Sequence, residues 1–173
     1  LSRKSYPKQF SQLIGEKSLF QQSTLRLKTS SLLKFSDPLV LTSSDFRFVI
    51  AEQLQELGIK SEGILLEPLA KNTGPAILAA CLYFMKNNID PLLLVAPSDH
   101  VINDRDYFHS LIQKGLKSLE EGNIVSFGVR PTRAETGYGY IELKEKFSTE
   151  IQKVERFIEK PDINAAKDMR IIF

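Results

Sequence analysis

The stretch PLVLTSSDFRFVIAEQLQELGIKSEGILLEP, residues 38–68, decides the fold class of this chain. It begins and ends with short, continuous apolar runs, residues 38–42 and 63–68, of the kind that parallel strands covered on both faces carry. Between these runs, residues 45–58 place apolar side chains three and four positions apart, which predicts an amphipathic helix. The stretch therefore predicts a strand, a helix and a second strand, the unit from which parallel α/β sheets are built.

The same alternation of apolar runs and amphipathic segments continues on both sides of this unit. Continuous apolar runs predict two more parallel strands, at residues 91–97 and 124–129. Helical spacing of apolar residues predicts helices at residues 18–28, 72–88 and 106–123. The chain is therefore expected to belong to the α/β class, with crossover helices between the strands.

The pattern changes near the C-terminal end of the chain. Residues 138–143 and 151–159 alternate with a period of two, which predicts an antiparallel flap joined by a polar turn. The expected fold is a Rossmann-like, doubly wound and mostly parallel sheet that carries this flap, in one domain over residues 1–173. The chain starts on a loop and a helix, and residues 169–173 predict the beginning of another strand. Both ends are therefore expected to be truncated, with the first strand of the sheet missing.

Composition and charge bound the class of protein. With 173 residues, 42% hydrophobic and 25% charged, the chain is expected to be globular. Its formal charge of +2 is spread along the sequence, so no basic stripe indicates nucleic acid as a partner. The single cysteine, Cys81, lies in an apolar run, which predicts a buried core thiol in a reducing compartment. No apolar run has transmembrane length, so a cytoplasmic protein without a membrane partner is expected.

Candidate functional residues follow the predicted strands, because open α/β sheets bind ligands beyond the carboxyl ends of their strands. Asp99 and His100 follow the strand predicted at residues 91–97. A carboxylate there could hold Mg²⁺, although a turn or capping role is more common for such an aspartate. A histidine without a Cys or His cluster is more often structural than a metal ligand. His109 is predicted to lie on the surface of a helix.

A second group of candidates follows the strand at residues 63–68. Asn72 and Thr73 can cap the next helix and leave its N-terminal amides free to bind an anion or a nucleoside. A plain helix cap is the alternative. Glu67 and Pro68, which come just before, are harder to explain by capping.

The predicted flap carries the third group of candidates. Gly139 could permit a close backbone approach to a ligand, although glycines also serve plain turns. Glu159 and Lys160 end the second flap strand. A carboxylate can accept sugar hydroxyls while a neighbouring ammonium binds phosphate, so this pair predicts a sugar-phosphate site. A surface ion pair is the alternative.

Each of these motifs alone is ambiguous, but their order along the chain is specific. The segments YPKQF, EPLAKNTGPAI, PSDHVI, GVRPTRAETGYGYI and FIEKPD follow one another along the chain. Together they resemble the nucleotidyltransferase domain of bacterial mannose-1-phosphate guanylyltransferases, which make GDP-mannose from GTP and mannose 1-phosphate. The resemblance covers residues 1–162 and implies a single partial nucleotidyltransferase domain. It also implies that a glycine-rich loop and a second metal-binding aspartate are missing, so that this chain alone has little or no transferase activity.

The resemblance implies catalytic roles for Lys8, which neutralises the triphosphate, and for Asp99, which also binds Mg²⁺. It implies an in-line displacement on the α-phosphorus of GTP without a covalent intermediate. The residues that it implies for substrate binding are Glu67, Pro68, Asn72 and Thr73 for the guanosine, Gly139 for a backbone contact to the sugar, Glu159 for the sugar hydroxyls and Lys160 for the sugar phosphate.

Two other functions stay open at this stage. The chain could be a remnant that binds a nucleotide or a protein partner without catalysis, because it keeps the pocket segments and lacks catalytic ones. It could also be a related sugar-1-phosphate nucleotidyltransferase that uses another base. GTP and mannose 1-phosphate are the expected partners, and a homo-oligomer is left open.

Overall fold

The computed structural model describes residues 6–69, 71–144, 148 and 150–168. Contacts among residues divide the chain into two compact units, one that reaches to Asp106 and one that begins at Tyr107. The single domain expected over residues 1–173 stays a prediction. The strand expected at residues 169–173 lies outside the described residues, as does part of the predicted flap turn.

Most helices and strands lie close to the segments that the sequence predicts. In chain order they are α1 (Leu19–Arg26), β1 (Leu39–Ser43), α2 (Arg47–Glu56), β2 (Gly63–Glu67), α3 (Thr73–Lys86), α4 (Arg105–Glu120), β3 (Gly139–Leu143), β4 (Val154–Glu159) and α5 (Ile163–Asp168). Within the described ranges, no helix combines the length and the apolar character that crossing a membrane requires.

The first unit contains the predicted strand, helix and strand. β1 and β2 pair in parallel along their full length, and α2 forms the crossover between them. The register sets Ser43 beside Glu67 at the carboxyl ends of the two strands. The unit predicted from residues 38–68 is thus confirmed, and its carboxyl edge carries one of the predicted site residues.

Helix α1 is fixed by a capping box and by the core of the first unit. The Ser18 hydroxyl accepts a hydrogen bond from the Gln21 N–H at 3.1 Å, and the Gln21 side chain accepts one from the Ser18 N–H. Such caps typically stabilise a helix by about 1 kcal/mol. The buried core cluster consists of Phe10, Phe20, Ile50 and Leu54. These contacts hold α1 against α2 and against the turn at Lys8–Phe10.

Two predicted strands, at residues 91–97 and 124–129, do not form in the described part of the chain. The apolar composition of these segments predicts strands, but a strand also needs a neighbouring backbone with which to exchange hydrogen bonds. Leu92, Val95 and Ile124 are exposed, which is the opposite of the burial expected for them. The prediction was wrong because side-chain pattern does not report whether a pairing partner is present.

The second unit contains the predicted antiparallel flap. β3 and β4 pair with Gly139 opposite Glu159, and an irregularity in the register falls between Glu142 and Leu143. The second strand begins at Val154, later than the predicted residue 151. The antiparallel flap is otherwise confirmed.

Two predictions of burial were wrong. His109, expected on the surface, is fully buried, because it shares the inward face of α4 with Ile112. Cys81, expected in the core, is only half-buried. It lies on α3, none of whose described residues is fully buried, so apolar composition alone overstated the burial of this helix.

Candidate functional site

Lys8 and Asp99 form an ion pair in the first unit, with 3.0 Å between Lys8 Nζ and Asp99 Oδ2. Lys8 begins a short 3₁₀ turn that the buried side chain of Phe10 anchors, and Asp99 lies in the loop after residues 91–97. The two side chains are 54% and 38% exposed. The two residues predicted to be catalytic are therefore in contact, and a ligand can reach both of them.

Two residues that the sequence predictions missed contact the backbone on either side of Asp99. Ser23 Oγ donates to the Pro97 carbonyl, and Arg26 donates to the His100 carbonyl. Their three-residue spacing on α1 places both on one helix face. That spacing is the only sequence signal they carry.

The predicted nucleotide residues lie between the end of β2 and the start of α3. Glu67 is half-buried at the carboxyl end of β2, whereas Pro68, Asn72 and Thr73 are exposed. Among the described residues, no hydrogen bond or ion pair joins this group to Lys8 or Asp99. The group therefore follows the strand end as predicted, without direct contact to the ion pair.

The capping role predicted for Asn72 was wrong. Asn72 occupies the N-cap position of α3, but its side chain makes no capping hydrogen bond. Its φ of 65° and ψ of −173° fall in a region that is almost restricted to glycine, so the side chain is not oriented as in an ordinary cap. The first amides of α3 are left without a side-chain acceptor from Asn72, which keeps them available to a ligand.

We expect Asn72→Gly to stabilise the protein by about 1 kcal/mol, because relief of backbone strain exceeds the entropy cost of glycine. Chemical denaturation of the two forms measures this difference. Asn72→Ala keeps the Cβ atom and is the matched control, for which no gain is expected. Equal stability of the Gly and Ala variants would contradict strain at this position.

The predicted sugar-phosphate residues lie together in the second unit. A Cβ atom added to Gly139 would clash with the Phe157 ring and lie 2.9 Å from Glu159 Oε2, so a larger residue here would require both side chains to move. Lys160 has a φ of 47°, and its N–H donates to the Tyr138 carbonyl at 3.1 Å. Lys160 Nζ lies 3.7 Å from Glu159 Oε1, and both side chains are exposed. This proximity is compatible with the predicted site and also with a plain surface ion pair.

The segment before β3 is fixed by one buried tyrosine. Tyr140 is 1% exposed, and its hydroxyl accepts a hydrogen bond from the Glu135 N–H at 2.9 Å. The Arg133 guanidinium donates to the Glu135 carboxylate, and this hydrogen bond together with the carboxylate charge raises the pKa of Arg133. The backbone that leads into Gly139 is thus held in place.

The chemistry of Asp99 fits Mg²⁺ held jointly with a nucleotide. Mg²⁺ keeps several waters and is commonly bound by one or two carboxylates together with substrate phosphates. Within the described ranges, no group of three or more His, Cys, Asp and Glu side chains is arranged to hold a metal ion. A metal here would therefore depend on Asp99 and on phosphate oxygens.

Comparison with known proteins identifies the family to which this chain belongs. The family model described as Nucleotidyl transferase matches residues 1–170, and the chain belongs to this family. In the Helicobacter pylori structure described as mannose-6-phosphate isomerase, the matching region has a TM-score of 0.81 and 34% identity. The match covers 100% of this chain and 65% of that one. The expected α/β class, with a parallel sheet and an antiparallel flap, is confirmed.

Curated relatives indicate which members of the nucleotidyltransferase family this chain is similar to. The chain is 48% identical to the xanthan biosynthesis protein XanB of Xanthomonas campestris, over 96% of this chain and 35% of the relative. It is 42% identical to the mannose-1-phosphate guanylyltransferase of Klebsiella pneumoniae, over 96% of this chain and 36% of the relative. The chain thus spans about a third of the length of these relatives.

Proposed function

We propose that this chain is part of an enzyme that transfers GMP from GTP to mannose 1-phosphate, giving GDP-mannose and pyrophosphate. The observation that carries the proposal is the contact between Lys8 and Asp99, which are distant in sequence and carry the charges that phosphoryl chemistry needs. The Klebsiella pneumoniae relative, named mannose-1-phosphate guanylyltransferase, supports the choice of substrates.

In the proposed reaction the Lys8–Asp99 pair opens when the nucleotide binds. Lys8 exchanges its carboxylate partner for a phosphate oxygen of GTP and neutralises charge that develops as pyrophosphate leaves. Asp99 is released to hold a divalent ion. Nucleotidyltransferases generally use such an ion, and we propose Mg²⁺ because the donor is a hard carboxylate oxygen. Bound there, Mg²⁺ would supply Lewis-acid neutralisation of the phosphate oxygens.

The remaining predicted residues bind the two substrates. Glu67, Pro68, Asn72 and Thr73 line the guanosine site, where the open amides at the start of α3 favour polar atoms of the nucleotide. Gly139 provides close backbone approach to the sugar, Glu159 accepts its hydroxyls and Lys160 binds its phosphate.

The proposed bond changes need no covalent enzyme intermediate. A phosphate oxygen of mannose 1-phosphate forms the new bond to the α-phosphorus of GTP, and the bond to the pyrophosphate oxygen breaks in line with it. The protein contributes by holding the substrates in position and by neutralising charge.

The other expectations from the sequence also stay predictions. We predict a cytoplasmic location and no nucleic acid or membrane partner. Whether the chain forms a homo-oligomer is left open. A gel-filtration mass of the purified chain would decide the last of these.

Nucleotide selectivity tests the proposal on this chain directly. With Mg²⁺ and GTP at about 100 times its Kd, binding stabilises the folded state by about 2.7 kcal/mol, and we expect the Tm to rise by about 5–10 °C. UTP and dTTP at the same concentration should give a smaller shift, and Asp99→Asn should lose the part that depends on Mg²⁺. An equal shift with all three nucleotides, or none with GTP, would contradict the proposal.

A further inference from the structure

The loop that carries Asp99 is held by side chains of α1 on both sides of the aspartate. Arg26 Nη1 donates to the His100 carbonyl at 3.1 Å, and Ser23 Oγ donates to the Pro97 carbonyl at 3.4 Å. Arg26 Nη2 also donates to Ser23 Oγ at 2.8 Å, so the two contacts form one network. The two carbonyls that flank Ser98 and Asp99 are therefore bound by the same pair of side chains.

This network is buried, whereas Asp99 is not. Ser23 and Arg26 are 5% and 7% exposed, and burial lowers the pKa of the Arg26 guanidinium. Hydrogen bonds from a charged donor out of contact with water are among the stronger ones in proteins. A partly exposed carboxylate thus projects from a backbone that is fixed from within.

At the far end of the same loop, donor and acceptor are reversed. Here a side chain after the loop donates to backbone carbonyls at the end of α1 and just beyond it. Arg105, at the start of α4, donates to the Arg26 and Thr29 carbonyls at 3.3 Å each and also to the Lys28 carbonyl. The Arg26 carbonyl is at the C-terminal end of α1, where helix carbonyls lack partners within the helix and attract cations, and Lys28 and Thr29 follow shortly after the helix. Two guanidinium groups therefore link the loop to the C-terminal end of α1. One belongs to Arg26 of α1, and the other belongs to Arg105 at the start of α4.

We infer that Arg26 is a positioning residue for Asp99: with Ser23, and with Arg105 at the far end of the loop, it fixes the backbone from which Asp99 meets the metal-bound nucleotide. This inference rests on the proposed function, because it assigns Asp99 a metal to hold. Neither Arg26 nor Ser23 touches substrate in this assignment. They act through the backbone of residues 97–100, as partners behind a metal ligand commonly do.

Two readouts test the inference on the full chain. The first is the Kd for Mn²⁺ in the presence of GTP, measured by electron paramagnetic resonance. The second is hydrogen exchange of the amides of residues 98–104 without metal or nucleotide. We expect Arg26→Met to raise the Mn²⁺ Kd by about 10- to 100-fold and to speed exchange in that segment.

The other variants separate positioning from general destabilisation. Ser23→Ala should shift both readouts in the same direction by less, and Arg26→Lys should restore part of the Mn²⁺ affinity. Arg47→Met controls for the loss of an arginine elsewhere in the first unit, since Arg47 is an exposed arginine on α2 that contacts Ser44 and the Phe48 ring, and it should change neither readout. If Arg26→Met fails to fold, Ser23→Ala and Arg26→Lys carry the test.

The outcomes distinguish this inference from the proposed function. If Asp99→Asn weakens Mn²⁺ binding while the Ser23 and Arg26 variants match wild type in both readouts, the inference is wrong and the proposed function stands. If Asp99→Asn leaves Mn²⁺ binding unchanged, the proposed metal role is wrong. The exchange rates, measured without metal, then still decide whether Arg26 holds the loop.

Discussion

Asp99→Asn in the active enzyme is expected to lower GDP-mannose formation by about 100- to 1,000-fold, a loss comparable to that of removing one preorganised oxyanion-hole donor. The substitution keeps the shape of the side chain and removes the charge that would hold Mg²⁺. Chromatographic measurement of GDP-mannose from GTP and mannose 1-phosphate gives the rate.

Stability separates this loss of rate from unfolding. The Lys8–Asp99 pair is substantially exposed, so its loss should change the free energy of unfolding by less than about 1 kcal/mol. Glu142→Gln is the matched control, because it breaks another exposed ion pair, with Arg156, and should leave the rate unchanged. A near-normal rate in Asp99→Asn would refute the role assigned to this carboxylate.

In the active enzyme, Lys160→Ala is expected to lower kcat/KM for mannose 1-phosphate by about 100-fold, because the ammonium would bind the phosphate of this substrate. The affinity for GTP should stay near that of wild type. Initial rates at varied mannose 1-phosphate, with GTP saturating, measure the effect.

The control for Lys160 is another exposed lysine of the second unit. Lys114 contacts the Glu150 carboxylate at 3.5 Å, much as Lys160 contacts Glu159 at 3.7 Å. Lys114→Ala removes a comparable ion pair and should leave kcat/KM unchanged. Equal effects of the two substitutions would mean that Lys160 takes part in no more than a surface ion pair.

Local pattern predicts the parts of this fold that local forces determine. The unit at residues 38–68 forms as predicted, because its apolar runs, helical spacing and crossover length all lie within one segment. The apolar run at residues 91–97 gives an equally strong signal and forms no strand, because pairing depends on a neighbour that the run itself does not specify.

In the candidate site, too, some features could be predicted from the sequence and others depend on contacts that local pattern does not specify. Lys8 and Asp99 were predicted from motif order, and the structure brings them into contact. The backbone of Asn72 could not be predicted, because no side-chain pattern reports a positive φ at a non-glycine residue. From the sequence alone, Arg26 cannot be distinguished from any other charged residue on a helix, because the carbonyl that it contacts belongs to His100, far along the chain.

The central claim is that Lys8 and Asp99 act together on the triphosphate. Its most direct test is pyrophosphate release from GTP and mannose 1-phosphate by the active enzyme of which this chain is part, compared as wild type, Lys8→Met, Asp99→Asn and the double variant. We predict that each single variant loses about 100-fold or more and that the double variant is little slower than the slower single one, because residues that act as a unit are not additive. Near wild-type release in all three variants would contradict the claim and leave the pair as a surface ion pair.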